Sequence, residues 1–267
     1  MMKRLVFPLL LLSCVTATGI AQEGAPPVTD DAGEDLFYAE LALDAYSAYV
    51  WRGQVLTDEP VWQPGATLGM NLYGYGKAYA TVWASFDATR RNRQAAFGGL
   101  NEIDYTAGYE VALGEATLCA GHIWYTFPKA NGPDYAHSTR EVFATLAYNN
   151  AYIVPFIEAY YDYAVAEGAY ATVGLCKAFP LTDRLVAGAE ISGGGGSGGY
   201  TRNQFDGANG KMWLIDGNAA LSVSYALTDA LSIGARIAWM SLLDDRLKGV
   251  YHRDHILWGG INLSMTF

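Results

Sequence analysis

The sequence predicts an all-β fold, an antiparallel transmembrane β-barrel of about 12 strands with short periplasmic turns and longer extracellular loops, and three observations predict it. From Leu36 onward apolar residues recur with a period of two rather than 3.6, in segments parted by turn residues. The connections between segments alternate in length, long then short, and 164–167 alone is shorter than the alternation expects. The chain ends on an aromatic residue, Phe267, placed on the apolar face of its last segment. A β-sandwich shares the alternation of faces, but it has no reason to gather tight turns at one end and long loops at the other.

Composition narrows the classes further. Hydrophobic residues make up 51% of the 267 and charged residues 16%, which excludes general disorder. No apolar run beyond the first fifteen or so residues reaches the roughly 20 that a spanning helix needs. With 17 Lys and Arg against 27 Asp and Glu, a net charge of −10 and no basic patch, the chain is not built for nucleic acid.

At the N-terminus, Met1-Met2-Lys3-Arg4, the apolar stretch Leu5 to Val15 and the small-residue pattern Gly19-Ile20-Ala21 read as a secretory signal peptide over 1–21, cleaved after Ala21. An alternative is a lipoprotein signal, since Leu11-Leu12-Ser13-Cys14 resembles a lipobox with Cys14 as the lipidated residue. Residues 22–35 are acidic, Pro-containing and free of aromatics, a solvated periplasmic leader; the barrel occupies 36–267.

The twelve segments run over 37–51, 61–73, 77–87, 101–113, 116–127, 139–149, 151–163, 168–179, 184–193, 217–227, 231–242 and 256–267, and no helix interrupts them. In the last, Leu257, Gly259, Ile261, Leu263, Met265 and Phe267 alternate with Ile256, Trp258, Gly260, Asn262, Ser264 and Thr266. In the fourth, Ile103, Tyr105, Ala107, Tyr109, Val111 and Leu113 oppose Glu102, Asp104, Thr106, Gly108 and Glu110. An even count lets the sheet close with both termini on one side, and closure removes the edges that lipid cannot satisfy. Aromatics near segment ends suit interfacial girdles: Tyr49 and Trp51, Tyr73, Tyr125 and Phe127, Tyr161 and Tyr163, and Trp239. Parity puts Cys119 on the lipid face with Ile123 and Tyr125, and Cys176 inside with Thr172 and Gly174, which opposes a disulfide between them.

The same parity fills the interior with acid. Asp44, Glu102, Asp104, Glu110, Glu141, Glu158, Asp162 and Glu190, with Glu40 and Asp87, point inward against Arg52 and Arg236. Carboxylates around a water-filled lumen concentrate cations and repel anions, so these residues are the candidate pore lining; the other reading is a plugged interior in which they bond to one another. Inward aromatics, Tyr46, Tyr79, Trp83, Trp124, Tyr152, Phe156, Tyr160 and Trp258, either fill space or stack a sugar-like solute. His252-Arg253-Asp254-His255 matches no metal spacing and reads as a charged loop. The glycine run 193–199 lacks the following helix that a phosphate cradle needs and reads as flexible loop. A lipid-directed hydrolase would need Ser and His paired at the lipid face; His122 points inward by parity, so no catalytic residue is assigned.

Two stretches carry a family resemblance. Tyr49-Val50-Trp51-Arg52-Gly53, then Thr57-Asp58, Pro60 and Gln63, resemble the opening strand and loop of the TorF-family porins. Gly121-His122-Ile123-Trp124-Tyr125-Thr126-Phe127-Pro128, followed by Thr139-Arg140-Glu141-Val142, is similar to a second family stretch, with Phe127 where that pattern has Tyr. The resemblance covers roughly the first half of the mature chain. It implies an outer-membrane channel, with no cofactor, metal or catalytic residue to carry over.

The combined expectation is a passive pore of the bacterial outer membrane for small hydrophilic solutes, weakly cation-preferring; the alternative is a closed barrel acting through its extracellular loops. Its partners are outer-membrane lipid, small hydrophilic solutes or cations, and the barrel insertion machinery, addressed by the strand ending at Phe267. Arg52 is expected to point inward toward Asp104 or Glu141 from a turn that Gly53 permits, or else to bond loop carbonyls at the rim.

Overall fold

A computed structural model describes residues 35–89, 99–128, 136–149, 152–205, 214–249 and 253–267. The expected signal peptide with Cys14, the acidic leader apart from Asp35, and His252 lie outside these residues. The strands are β1 (Phe37–Tyr46), β2 (Tyr49–Trp51), β3 (Gln54–Thr57), β4 (Val61–Asn71), β5 (Lys77–Asp87), β6 (Leu100–Leu113), β7 (Ala116–Thr126), β8 (Ser138–Tyr148), β9 (Val154–Asp162), β10 (Gly168–Pro180), β11 (Leu185–Gly196), β12 (Asp216–Ala226), β13 (Leu231–Leu242) and β14 (His255–Thr266). Twelve of them, all but β2 and β3, form a closed antiparallel barrel in sequence order, with β1 pairing both β4 and β14. At the seam Leu43 lies opposite Leu263, and Ala39 and Phe267 exchange backbone hydrogen bonds of 2.8 and 3.2 Å. Closure in this way leaves no wall strand with an unpaired edge.

Alternation does its expected work on the outer wall. Leu68, Val173, Leu221, Leu257 and Ile261 project outward, exposed to what in the membrane is hydrocarbon. The tight turns at 72–76, 114–115, 181–184 and 227–230 gather at the end where β1 begins and β14 ends. The longer connections gather at the other, extracellular, end.

Four expectations are corrected. The first segment does not run as one strand to residue 51: β1 stops at Tyr46, and β2 and β3 make a separate hairpin that turns into the barrel. Its turn residues, Arg52 (φ 46°) and Gly53 (φ 80°), are both left-handed, the requirement of a two-residue hairpin whose twist matches its strands. The run 193–199 is not a flexible loop either. β11 continues through Gly196, and a short helix α1 (Gly198–Gln204) follows, with the Ser197 side chain accepting from the Tyr200 N–H as its cap. Side chains are missing there because neighbours take the space: a Cβ on Gly194 would lie 1.9 Å from the Tyr170 hydroxyl, and one on Gly196 would lie 2.7 Å from the Tyr200 ring.

The third correction is the parity of β7. Cys119, Ile123 and Tyr125 face inward, with Ile123 and Tyr125 buried, whereas His122 and Trp124 face outward. Both faces of β7 are largely apolar, so its own alternation does not choose; pairing with β6, whose Asp104 lies opposite Tyr125 and Glu110 opposite Cys119, does. Tyr49, Trp51, Tyr125 and Phe127 therefore belong to the interior and not to a girdle, while Tyr73, Tyr161, Tyr163 and Trp239 remain exposed. Tyr152 lies exposed before β9 and not inside. Cys119 is a free thiol, so it does not pair with Cys176, although both face inward.

Candidate functional site: the barrel lumen

The extracellular half of the lumen is packed around Arg52. The β2–β3 hairpin carries its guanidinium to the β8 carboxylate of Glu141, with Nη1 donating to Oε1 at 2.7 Å and Nη2 to Oε2 at 2.9 Å. Both side chains are essentially buried. Tyr125 also donates to Glu141, at 2.8 Å, and the guanidinium carbon sits 4.5 Å from the Trp51 ring centroid, 4.0 Å from Tyr160 and 4.9 Å from Tyr170. A planar cation stacked between rings and forked onto a carboxylate is a geometry lysine cannot reproduce. Behind it, Tyr200 and Phe205 from the α1 segment join Ile123, Phe143, Ile215 and Leu247 in one buried cluster. The plug therefore joins the hairpin, the α1 segment and, through Leu247, the β13–β14 connection inside the wall, and Gln54 of the hairpin reaches Gln204 of α1 at 3.4 Å.

Around this plug most inward carboxylates accept from a neighbouring hydroxyl or amide. Tyr49 donates to Glu102 at 3.0 Å, Tyr160 to Glu158 at 3.1 Å and Thr139 to Asp162 at 2.6 Å. Asp216, not foreseen as a site residue, accepts from Tyr170 at 3.0 Å and Asn218 at 2.7 Å. Its place at the first residue of β12 put it just outside the segment drawn from the pattern. Lower in the barrel Glu190 faces Arg236 at 3.8 Å, and Glu110 lies opposite Lys77 in the register of β5 and β6. Asp44 is buried and within 3.5 Å of the Tyr46 hydroxyl.

Two carboxylates differ from the rest. Asp87 and Asp104 are 0% and 1% exposed, and among the described residues neither oxygen of either has a hydrogen-bond partner. Arg52 selects Glu141, not Asp104, although Asp104 stands between Trp83 and Tyr125 on the neighbouring strands. On the outside, His122 bonds the Tyr163 hydroxyl at 2.8 Å, so the histidine expected inside faces lipid beside a tyrosine and not a serine.

Residues 32–238 match the family described as a bacterial protein of unknown function, Gcw_chp. The chain belongs to the Gcw_chp family. No curated protein matches it by sequence. Among solved structures, this member of the family is similar to the COG4313 outer membrane channel from Pseudomonas putida F1, with a TM-score of 0.57 at 10% identity over 91% of this chain and 100% of that one. It also aligns with the KdgM porin (TM-score 0.49, 7% identity, 86% and 99% of the two chains) and with outer membrane phospholipase A from Escherichia coli (0.46, 12%, 85% and 92%). At such identities the first likeness bears on the fold alone, and the other two carry no argument. A closed twelve-stranded barrel with an apolar outer wall, in a bacterial family, is a protein of the bacterial outer membrane.

Proposed function

We propose that the chain is a porin-like channel for passive diffusion of small hydrophilic solutes, weakly cation-preferring, whose lining comprises Asp44, Arg52, Glu102, Asp104, Glu110, Glu141, Glu158, Asp162, Glu190 and Arg236. One observation carries the reading: Asp87 and Asp104 face the interior without a hydrogen-bond partner among the described residues. A buried charge with no partner costs several kcal/mol, on the order of what a domain's whole stability can bear, unless water or a cation solvates it. A barrel meant only as a solid support would have filled or paired those positions. The excess of inward acid over the inward cations then sets the sign of the ion preference.

The stretches Tyr49–Gly53 and Gly121–Pro128 support a TorF-type porin within the wider class. The Pseudomonas putida relative in fold is described as a channel, which agrees with this reading. The terminal Phe267, at the seam, is the address offered to the insertion machinery. We assign no catalytic group.

A second reading has its own support. The hairpin is pinned by a buried bidentate ion pair, which suits a barrel closed at rest and acting through its outer loops. Refolding the mature chain into a planar bilayer under a salt gradient separates the two. Discrete current steps with a cation-favouring reversal potential support the channel; a folded, inserted barrel that passes no current, with or without the hairpin pin, overturns it.

A further inference from the structure

Among the Lys and Arg of the twelve wall strands, Lys77 is buried and Arg236 faces Glu190, whereas Arg140 and Lys177 point outward. Lys177 lies toward the tight-turn end of β10, but Arg140 is the third residue of β8, at the long-loop, extracellular end. The register surrounds Arg140 with aromatic rings. Tyr105 of β6 is opposite Trp124 of β7, Trp124 is opposite Arg140, and the Tyr163 N–H donates to the Arg140 carbonyl at 3.2 Å. These four residues therefore form one cross-strand row on the outer surface. In it, the Tyr105 and Trp124 centroids are 5.6 Å apart and the Arg140 guanidinium lies 5.6 Å from the Trp124 ring. One row below, His122 reaches up to the Tyr163 hydroxyl at 2.8 Å.

Arg140 makes no ion pair with the described residues. An exposed guanidinium facing the membrane at its outer boundary, beside an imidazole and a phenol, in a chain of net charge −10, is a local inversion of sign. Guanidinium forks match phosphate oxygens, and flat rings offer stacking faces to sugar rings. We propose that this row is a binding site for the phosphorylated sugar headgroup of an outer-leaflet glycolipid, with Arg140 and His122 on the phosphate and Tyr105 and Trp124 under the saccharide. The acyl chains would then run down the apolar wall formed by Val142 and Leu146, outward on the same strand.

The test is native mass spectrometry of the refolded mature chain in detergent, titrated with diphosphoryl lipid A, with the same lipid dephosphorylated, and with phosphatidylglycerol. Retention of diphosphoryl lipid A over the other two is expected. Arg140→Gln should weaken it about tenfold, while Lys177→Gln leaves it unchanged. Equal retention of the three lipids, or an unaltered affinity in Arg140→Gln, would overturn the proposal. The lipid comparison is made on the unmodified chain, so it decides the matter even if the variant does not refold; folding of each variant is read from its heat-dependent gel mobility.

Discussion

Arg52 and Glu141, 89 residues apart, meet inside the barrel through two parallel hydrogen bonds of 2.7 and 2.9 Å. One residue sits at the tip of a hairpin and the other on the wall, so the pair fastens the inserted hairpin to the barrel.

Removing one side of this pair strands the other. Arg52→Ala is expected to leave the twelve-stranded wall intact, because β2 and β3 pair with no wall strand, but to loosen the hairpin by about 3–5 kcal/mol, the usual cost of breaking a buried ion pair from one side. Single-channel conductance should rise and the reversal potential move further toward cations. Unchanged values of both would count against the pin.

The turn itself is the second test. Gly53 has φ +80°, and a Cβ there would stand 2.9 Å from Ile215. Gly53→Ala combines left-handed strain of about 1–2 kcal/mol with that contact. The variant should unfold at a lower temperature than the parent in the same detergent, and an unaltered midpoint would mean that the hairpin contributes little to stability.

Asp104 and Glu141 carry the same charge but should respond in opposite ways to neutralisation. Asp104→Asn removes a carboxylate that nothing pairs, so stability should hold or rise while cation preference falls. Glu141→Gln removes the partner of a buried guanidinium and should destabilise. Chemical denaturation of the two variants side by side checks the signs.

Cys119 offers a probe of water inside. It is a free thiol on the inner face, 3.2 Å from the Tyr79 hydroxyl, near the periplasmic half of β7. A small, charged, membrane-impermeant methanethiosulfonate reagent should modify it in the folded barrel, and Cys119→Ser should lose that modification. A chain that resists the reagent when folded and accepts it only when unfolded would argue for a dry lumen.

The number of wall strands, the direction of their loops and the acidic character of the interior were legible in the linear pattern. Along most of β6 and the second half of β14 a residue's polarity announces its face, because lipid on one side and polar interior on the other impose opposite demands at every second position. Where that contrast fades, the pattern misleads. β7 is largely apolar on both faces, since Ile123 and Tyr125 pack inward against the plug, and only the Asp104–Tyr125 and Glu110–Cys119 pairings with β6 decide which face is which. The same ambiguity joined residues 37–46 to the hairpin that follows them.

By itself, then, the sequence determined a closed barrel with acid inside and apolar residues outside, because that information is local and repeats every two residues. Tertiary structure decided what fills the barrel. The inward turn at Arg52 and Gly53, the choice of Glu141 over Asp104, and the packing of Tyr200 against Tyr170 join parts of the chain that are distant along it. No local period encodes contacts of that kind; they follow from the space and the unpaired charge that the closed wall leaves for the loops to meet.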